Sequence, residues 1–267
     1  MSTIKELSNL NGRVSIITGA TGHLGTVISE TLAELGSDLI LIDREESDFS
    51  TLTFDLYQRW GVKVETYSCD LELPNQRKEL ISSVVNSHED LNCLINNAAF
   101  VGTSELSGWN VSFEQQTSET FSRALEVNLT AVFDLVKGFS TTLKNSKGAN
   151  IINIASIYGM FAPDWNLYEG TAMNNPAAYG ASKAGLIQLT RWLSSQLAPQ
   201  VRVNSISPGG IFRNQEKEFV KRYESKTPLG RMATEDDLKG AIAYLASDLS
   251  KYVTGQNLSV DGGWGVV

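Results

Sequence analysis

The chain has 267 residues, 42% hydrophobic and 19% charged, which is enough apolar material for a substantial core and carries no signature of disorder. A formal net charge of −8 and a sequence pI of about 4.9 exclude the basic stripe of a nucleic-acid binder and disfavour docking on anionic membranes. The two cysteines, Cys69 and Cys93, lie in apolar runs without metal-ligand spacing, so no disulfide framework and no metal site are expected, and a reducing, cytoplasmic setting fits.

Residues 1–10 carry Lys5 and Glu6 and no apolar signal region, and nowhere do about eighteen apolar residues run together, so neither a leader nor a membrane span is expected. From residue 13 onward, short apolar runs alternate with longer amphipathic segments. A strand over 13–18 passes through a glycine-rich turn into a helix over 24–35. A strand at 38–43, a helix at 49–60, a strand at 62–68 and a helix at 75–88 follow. Next come a strand at 92–97, a long helix at 118–144, a strand at 150–154 and a helix at 179–197. A strand at 201–206, a helix at 234–247 and a strand at 257–260 close the pattern. The strands are nearly continuous in Val, Ile and Leu, as parallel strands covered on both faces are. This alternation predicts right-handed crossovers and an α/β, Rossmann-type doubly wound parallel sheet of seven strands, flanked by helices in three layers.

No repeat, low-complexity tract or linker divides the chain, so one domain over 1–267 is expected, with its ligand-binding turn in the N-terminal half. Two stretches, 157–178 and 208–229, break the rhythm. Long irregular segments in a compact domain are usually functional loops. Both emerge at the carboxyl ends of strands, where open α/β sheets hold their ligands, and are read as substrate loops.

The first strand runs into Thr18-Gly19-Ala20-Thr21-Gly22-His23-Leu24-Gly25. Glycines here let backbone approach a pyrophosphate, and the helix that follows offers free N–H groups and a positive dipole end. Gly19, Thr21, Gly22, His23, Leu24 and Gly25 are therefore candidates for a dinucleotide, with His23 either a phosphate contact or a solvent-facing helix start. Asp43 closes the second strand, where a carboxylate accepts hydrogen bonds from ribose hydroxyls and repels a 2′-phosphate. Arg44 beside it would favour that phosphate, but the strand-end position of Asp43 favours NAD(H) over NADP(H). Asp70 with Leu71 either meets the adenine edge, or Asp70 caps a helix.

Tyr179 and Lys183 stand four apart, placing phenol and ammonium on one helix face. The pairing has a chemical reason: a tyrosine pKa of about 10 is too high for a base near neutrality, and a neighbouring cation lowers it. Ser156, ending the fifth strand, supplies a hydroxyl to orient and polarise a carbonyl. Asn128, on the long helix, could hold a water for proton relay.

In the order and placement of these residues the chain resembles the short-chain dehydrogenase/reductase family over essentially its whole length. The matches are Thr18–Gly25, Asp70, Asn96-Asn97-Ala98-Ala99, Asn128, Ser156, Tyr179, Lys183, Ser207-Pro208-Gly209-Gly210-Ile211 and the closing Val253-Thr254-Gly255-Gln256 and Val260-Asp261-Gly262-Gly263. The resemblance implies Tyr179 as acid/base, Lys183 on the nicotinamide ribose, Ser156 polarising the substrate and Asn128 in a relay. It also implies Asn97 and Ala98 beside the ribose, Pro208 and Gly209 at the cofactor, Ile211 flanking the carboxamide, and a homo-oligomer, dimer or tetramer. The glycine spacing is similar to the family's extended, nucleotide-sugar branch, but the chain ends soon after Val260-Asp261-Gly262-Gly263-Trp264. The single-domain branch with an enlarged loop is the expectation.

That loop, 157–178, concentrates Trp165, Tyr168, Glu169 and Asn175. Aromatic faces give sugar rings an apolar platform and carboxylates bind hydroxyls, so Ser156, Trp165, Tyr168 and Glu169 are the expected substrate contacts. With no tight-turn signal, the loop reads as a lid. Its Leu-Tyr-Glu-Gly-Thr-Ala-Met-Asn-Asn-Pro stretch is similar to bacterial oxidoreductases linked to surface-glycan and flagellin modification. The expected chemistry is hydride transfer between nicotinamide and a secondary alcohol or carbonyl of a small-molecule substrate, a sugar or nucleotide sugar. An epimerase or dehydratase using bound NAD without net redox is the alternative. A non-catalytic dinucleotide binder would not need Ser156, Tyr179 and Lys183 together.

Overall fold

The apolar runs fold as strands β1 (Val14–Thr18), β2 (Asp38–Asp43), β3 (Val64–Ser68), β4 (Cys93–Asn96), β5 (Asn150–Ile154), β6 (Arg202–Pro208) and β7 (Asn257–Val260) in a computed structural model describing residues 1–100 and 106–267. They form one sheet in the order β3-β2-β1-β4-β5-β6-β7, every neighbouring pair parallel. Nine helices among the described residues accompany it: α1 (Ile4–Ser8), α2 (His23–Glu34), α3 (Ser50–Trp60), α4 (Pro74–Ser87), α5 (Ser118–Leu125), α6 (Ala131–Asn145), α7 (Ala177–Leu197), α8 (Lys217–Lys226) and α9 (Lys239–Ala246).

Period-two alternation explains why whole strands are apolar. Ile16, Ile40, Leu94, Ile151 and Val203 face one cluster with Leu80 of α4, Phe139 of α6 and Leu186 of α7. Ile17, Leu41, Ile95, Ile152 and Ile206 face the other, with Ile28 of α2, Leu56 of α3 and Ile242 of α9. Both faces are therefore dry, and three layers result. The strand order reverses between β1 and β4, which opens a crevice at their carboxyl ends. Cys69 and Cys93 are buried free thiols. Burial pushes them up to about 11 and about 12, which leaves them inert.

Three elements differ from expectation. The helix expected over 118–144 runs without a gap from Ser118 to Asn145, but it widens into a π turn at Glu126–Thr130 where α5 passes into α6. Arg77, only 2% exposed, braces that turn, pairing with Glu126 at 2.6 Å and Asp134 at 2.9 Å, while its Nη1 donates to Leu71 O at 2.6 Å. The segment 208–229 contains α8 rather than irregular chain. Phe219 and Tyr223, four apart, bury one face of α8, a helical period masked in the sequence by the Lys, Glu and Arg around them. Finally, 157–178 does contain tight turns, short 3₁₀ segments at Ile157–Gly159 and Trp165–Leu167. On α7, Leu186 and Leu193 are buried in the core, and Trp192 is 53% exposed.

Candidate active site

A groove of about 850 Å³ runs across the carboxyl ends of β1, β2, β4, β5 and β6. Gly19, Thr21, Gly22, His23, Leu24, Gly25, Asp43, Asp70, Leu71, Asn97, Ala98, Tyr179, Lys183, Pro208, Gly209 and Ile211 all line it. Glycine is required at two of these positions. Gly19 has φ +65°, and a Cβ there would meet Ala98 Cα at 2.8 Å; a Cβ on Gly25 would stand 2.0 Å from Gly19 O. Helix α2 starts at His23, and its N-cap, Gly22, has no side chain to cap it. Its first N–H groups are thus offered to the groove, as a phosphate requires. The residues present fit a dinucleotide.

At the β2 end, Asp43 Oδ2 accepts from Thr21 N at 2.9 Å and Thr21 Oγ1 at 2.7 Å, which fixes the glycine-rich turn against the strand. Arg44 is exposed and pairs with Glu46 at 3.1 Å. Asp70 Oδ1 accepts from Glu72 N at 2.9 Å; α4 takes its N-cap from Leu73, so Asp70 turns the chain rather than capping the helix. Asn97 Nδ2 donates to Thr18 O and Gly19 O, both at 3.0 Å, stitching β4 to the β1 turn.

Ser156, Tyr179 and Lys183 converge at the other end. Ser156 follows β5, while Tyr179 and Lys183 lie on the first turns of α7. Lys183 is 2% exposed and its Nζ donates to Ile154 O at 2.8 Å, 5.8 Å from the centre of the Tyr179 ring. Burial holds this ammonium down at about 8. The Tyr179 phenol, in contrast, is raised by burial, with Ser156 and Arg213 pulling it back down. This corrects the expectation of a depressed phenol: the surrounding protein disfavours the phenolate more than its neighbours favour it. Asn128, 1% exposed, lines neither cavity. Its Oδ1 accepts from Phe100 N at 2.6 Å and its Nδ2 donates to Ser182 Oγ at 3.0 Å. Its carboxamide thus clamps the chain after β4 to α7.

A second cavity of about 480 Å³ adjoins the groove. Ser156, Tyr179, Gly209 and Gln215 line both. Of the expected substrate contacts, Ser156 and Tyr168 line the cavity, whereas Trp165 and Glu169 do not. Trp165 is 57% exposed, its ring packed outside Tyr168 with centroids 5.9 Å apart, and Glu169 meets α8 through its backbone carbonyl, which accepts from Arg222. Trp109, Phe219, Tyr223 and Met232 line the cavity without having been expected. Only the four-residue spacing of Phe219 and Tyr223 could have signalled this.

A doubly wound sheet with a dinucleotide groove at its switch point, opening into a cavity beside a Ser, Tyr and Lys, defines a nicotinamide-dependent oxidoreductase. A family model described as Enoyl-(Acyl carrier protein) reductase matches residues 19–265. The chain belongs to the short-chain dehydrogenase/reductase family, NAD(P)-dependent enzymes acting on alcohol and carbonyl groups. It is 31% identical to post-translational flagellin modification protein A of Campylobacter coli, over 96% of this chain and 100% of that one. It is 29% identical to an NADP-dependent mannitol dehydrogenase of Alternaria alternata, over 98% and 95%. Among solved structures, a short-chain dehydrogenase from Leptospira borgpetersenii serovar Hardjo-bovis with bound NAD+ shares 32% identity, with a TM-score of 0.83 over 99% of this chain and 96% of that one.

Proposed function

We propose that this protein is an NAD(H)-linked dehydrogenase/reductase for a secondary alcohol or ketone of a sugar or nucleotide sugar. The observation that carries this reading is the junction of groove and cavity at Ser156 and Tyr179, which line both. A bound dinucleotide supplies the hydride acceptor or donor. Ser156 Oγ donates to the substrate oxygen and orients it. Tyr179 Oη exchanges a proton with that same oxygen, giving it up on reduction and taking it on oxidation. Lys183 lines the groove, where it would meet the ribose, and the bond from its Nζ to Ile154 O holds the ammonium in place. With the phenol raised by burial, Tyr179 is protonated near neutrality, ready for reduction; oxidation speeds up as pH rises toward the phenol's value. No relative named above is an epimerase or dehydratase.

The preference for NAD(H) rests on Asp43, whose negative charge lines the groove, and on the pairing of the neighbouring Arg44 with Glu46, which offsets its charge. Titration of the wild type with both cofactors by nucleotide fluorescence tests this. NAD(H) binding more tightly, and a preference that narrows about tenfold or more in Asp43→Ala, are the expected results. Tighter binding of NADP(H) by the wild type would reverse the assignment and promote Arg44.

A further inference from the structure

The cavity beside Ser156 and Tyr179 has an unusual charge balance. Among the described residues, none of those lining it is Asp, Glu, Lys, Arg or His. The segment 101–105 reads Val-Gly-Thr-Ser-Glu and so brings no cation. The nearby cations are committed elsewhere. Arg213, which lines only the dinucleotide groove, pairs with Glu235 at 3.1 Å; Lys226 pairs with Asp164 at 2.9 Å; Arg222 donates to Asn166 O and Glu169 O. Arg213 and Lys183 are felt at the Tyr179 end of the cavity, but a carboxylate or phosphate placed away from that end would lose its water without gaining a counter-charge, which is strongly disfavoured.

The same walls are not apolar. Tyr158 Oη and Tyr168 Oη are 2.7 Å apart, and Asn175 Nδ2 donates to Tyr168 Oη at 3.2 Å. Burial raises both phenols above their ordinary value, so both keep their protons across the working range. The hydrogen count then has one outcome. The two phenols carry two hydrogens, and the contact between them uses one. If Tyr168 donates to Tyr158, the Tyr158 hydrogen is left over; if Tyr158 donates, the Tyr168 hydrogen is left over, because the Asn175 bond supplies its own. Either way, one phenolic hydrogen remains to be donated to a ligand oxygen. A purely hydrocarbon substrate would leave that donor dry and unpaired. The aromatic faces of Trp109 and Phe219 in turn suit the C–H side of a polyhydroxylated chain.

We propose that the cavity takes a neutral polyhydroxylated carbon chain, a free polyol or its ketose, rather than a sugar acid, sugar phosphate or nucleotide sugar, and that the Tyr158–Tyr168–Asn175 trio reads one of its hydroxyls away from the reacting carbon. Tyr168 is then a specificity-determining residue. The inference deepens the function proposed above and rests on it for the reacting site, but its binding half stands alone.

Mannitol and fructose serve as neutral probes; gluconate, fructose 6-phosphate and UDP-glucose as anionic ones; cyclohexanol as a plain secondary alcohol. Binding to the wild-type protein with the appropriate nicotinamide cofactor is measured by calorimetry, and turnover by NADH absorbance. A neutral probe is expected to bind more tightly than every anionic one. Tyr158→Phe/Tyr168→Phe, which removes both phenolic hydrogens, is expected to raise KM for that neutral probe about tenfold, the worth of one lost hydrogen bond, and by a larger factor than for cyclohexanol. Tighter binding of an anionic probe, binding of neither neutral probe, or an unchanged KM for the neutral probe in the folded double variant would each overturn the inference. Should the double variant fail to fold, the wild-type order of binding decides alone. Hydride transfer with gluconate and none with the neutral probes would overturn the inference and leave the oxidoreductase reading intact; tight mannitol binding without hydride transfer to any probe would do the reverse.

Discussion

Lys183 is held at a cost that can be measured. Its ordinary pKa of 10.5 falls to about 8 in the fold because burial disfavours the ammonium. Below pH 8 the folded and unfolded chains are both charged here, and the fold carries the whole burial penalty. Between pH 8 and 10.5 the folded chain releases its proton first, so stability rises by about 3 kcal/mol across that window and is flat above it. Lys183→Met is expected to lack this rise and to be more stable than the wild type at pH 7, while losing activity. Urea unfolding of both proteins at several pH values checks this, and identical pH dependence in the two would contradict it. The residues themselves were legible because their spacing is set by backbone geometry: a strand into a glycine turn, and a Tyr and Lys one helical turn apart. Their electrostatics were not. The raised Tyr179 phenol depends on how much protein surrounds it, and the clamp made by Asn128 depends on Phe100 and Ser182, neither close to it in sequence.

Segment 157–178 and α8 form a single unit. Tyr158, Met160, Tyr168, Phe219, Tyr223 and Trp264 share one small apolar cluster. Ala172 N donates to Glu216 Oε1 at 2.8 Å, and Tyr223 Oη accepts from Gly210 N at 2.5 Å, so α8 braces both the loop and the Pro208–Gly210 turn at the groove. The segment is a docked wall of the cavity rather than a free lid. Its wall-forming residues and its outward ones were indistinguishable in the sequence because irregular chain has no period from which to read a face. Trp165→Ala and Glu169→Ala should each leave kcat/KM within about threefold of wild type, as exposed positions do, when assayed with the best substrate of the probe panel. A loss of 100-fold or more in either, on the order of a lost catalytic group, would restore the lid.

At the scale of the molecule, the seven strands, their order of appearance and their flanking helices were legible, since continuous Val, Ile and Leu runs separated by amphipathic segments admit few arrangements other than a doubly wound sheet. The π turn was not, and the Arg77 side chain that braces it reaches it from α4, far away in sequence. Neither was α8, whose charged composition resembles a loop. The proposed self-association draws its support from outward apolar residues: Phe133 of α6 and Trp192 of α7 are 40% and 53% exposed. A dimer or tetramer through these helices is expected, with Trp192→Glu shifting it toward monomer; sedimentation velocity of both proteins at micromolar concentration decides, and a wild-type monomer would end the proposal.

The central claim is that hydride passes between a nicotinamide in the groove and a carbon in the adjoining cavity, with Tyr179 handling the proton. Wild-type protein and Tyr179→Phe are each given NADH deuterated at the transferable position, together with fructose or fructose 6-phosphate, and deuterium in the alcohol product is followed by mass spectrometry. The account predicts deuterium on the carbinol carbon with the wild type, a rate about 10²–10⁴-fold lower in Tyr179→Phe, and NADH binding retained in both. Transfer at the wild-type rate by Tyr179→Phe, or NADH binding by the wild type with no deuterium delivered to any carbonyl, would contradict it.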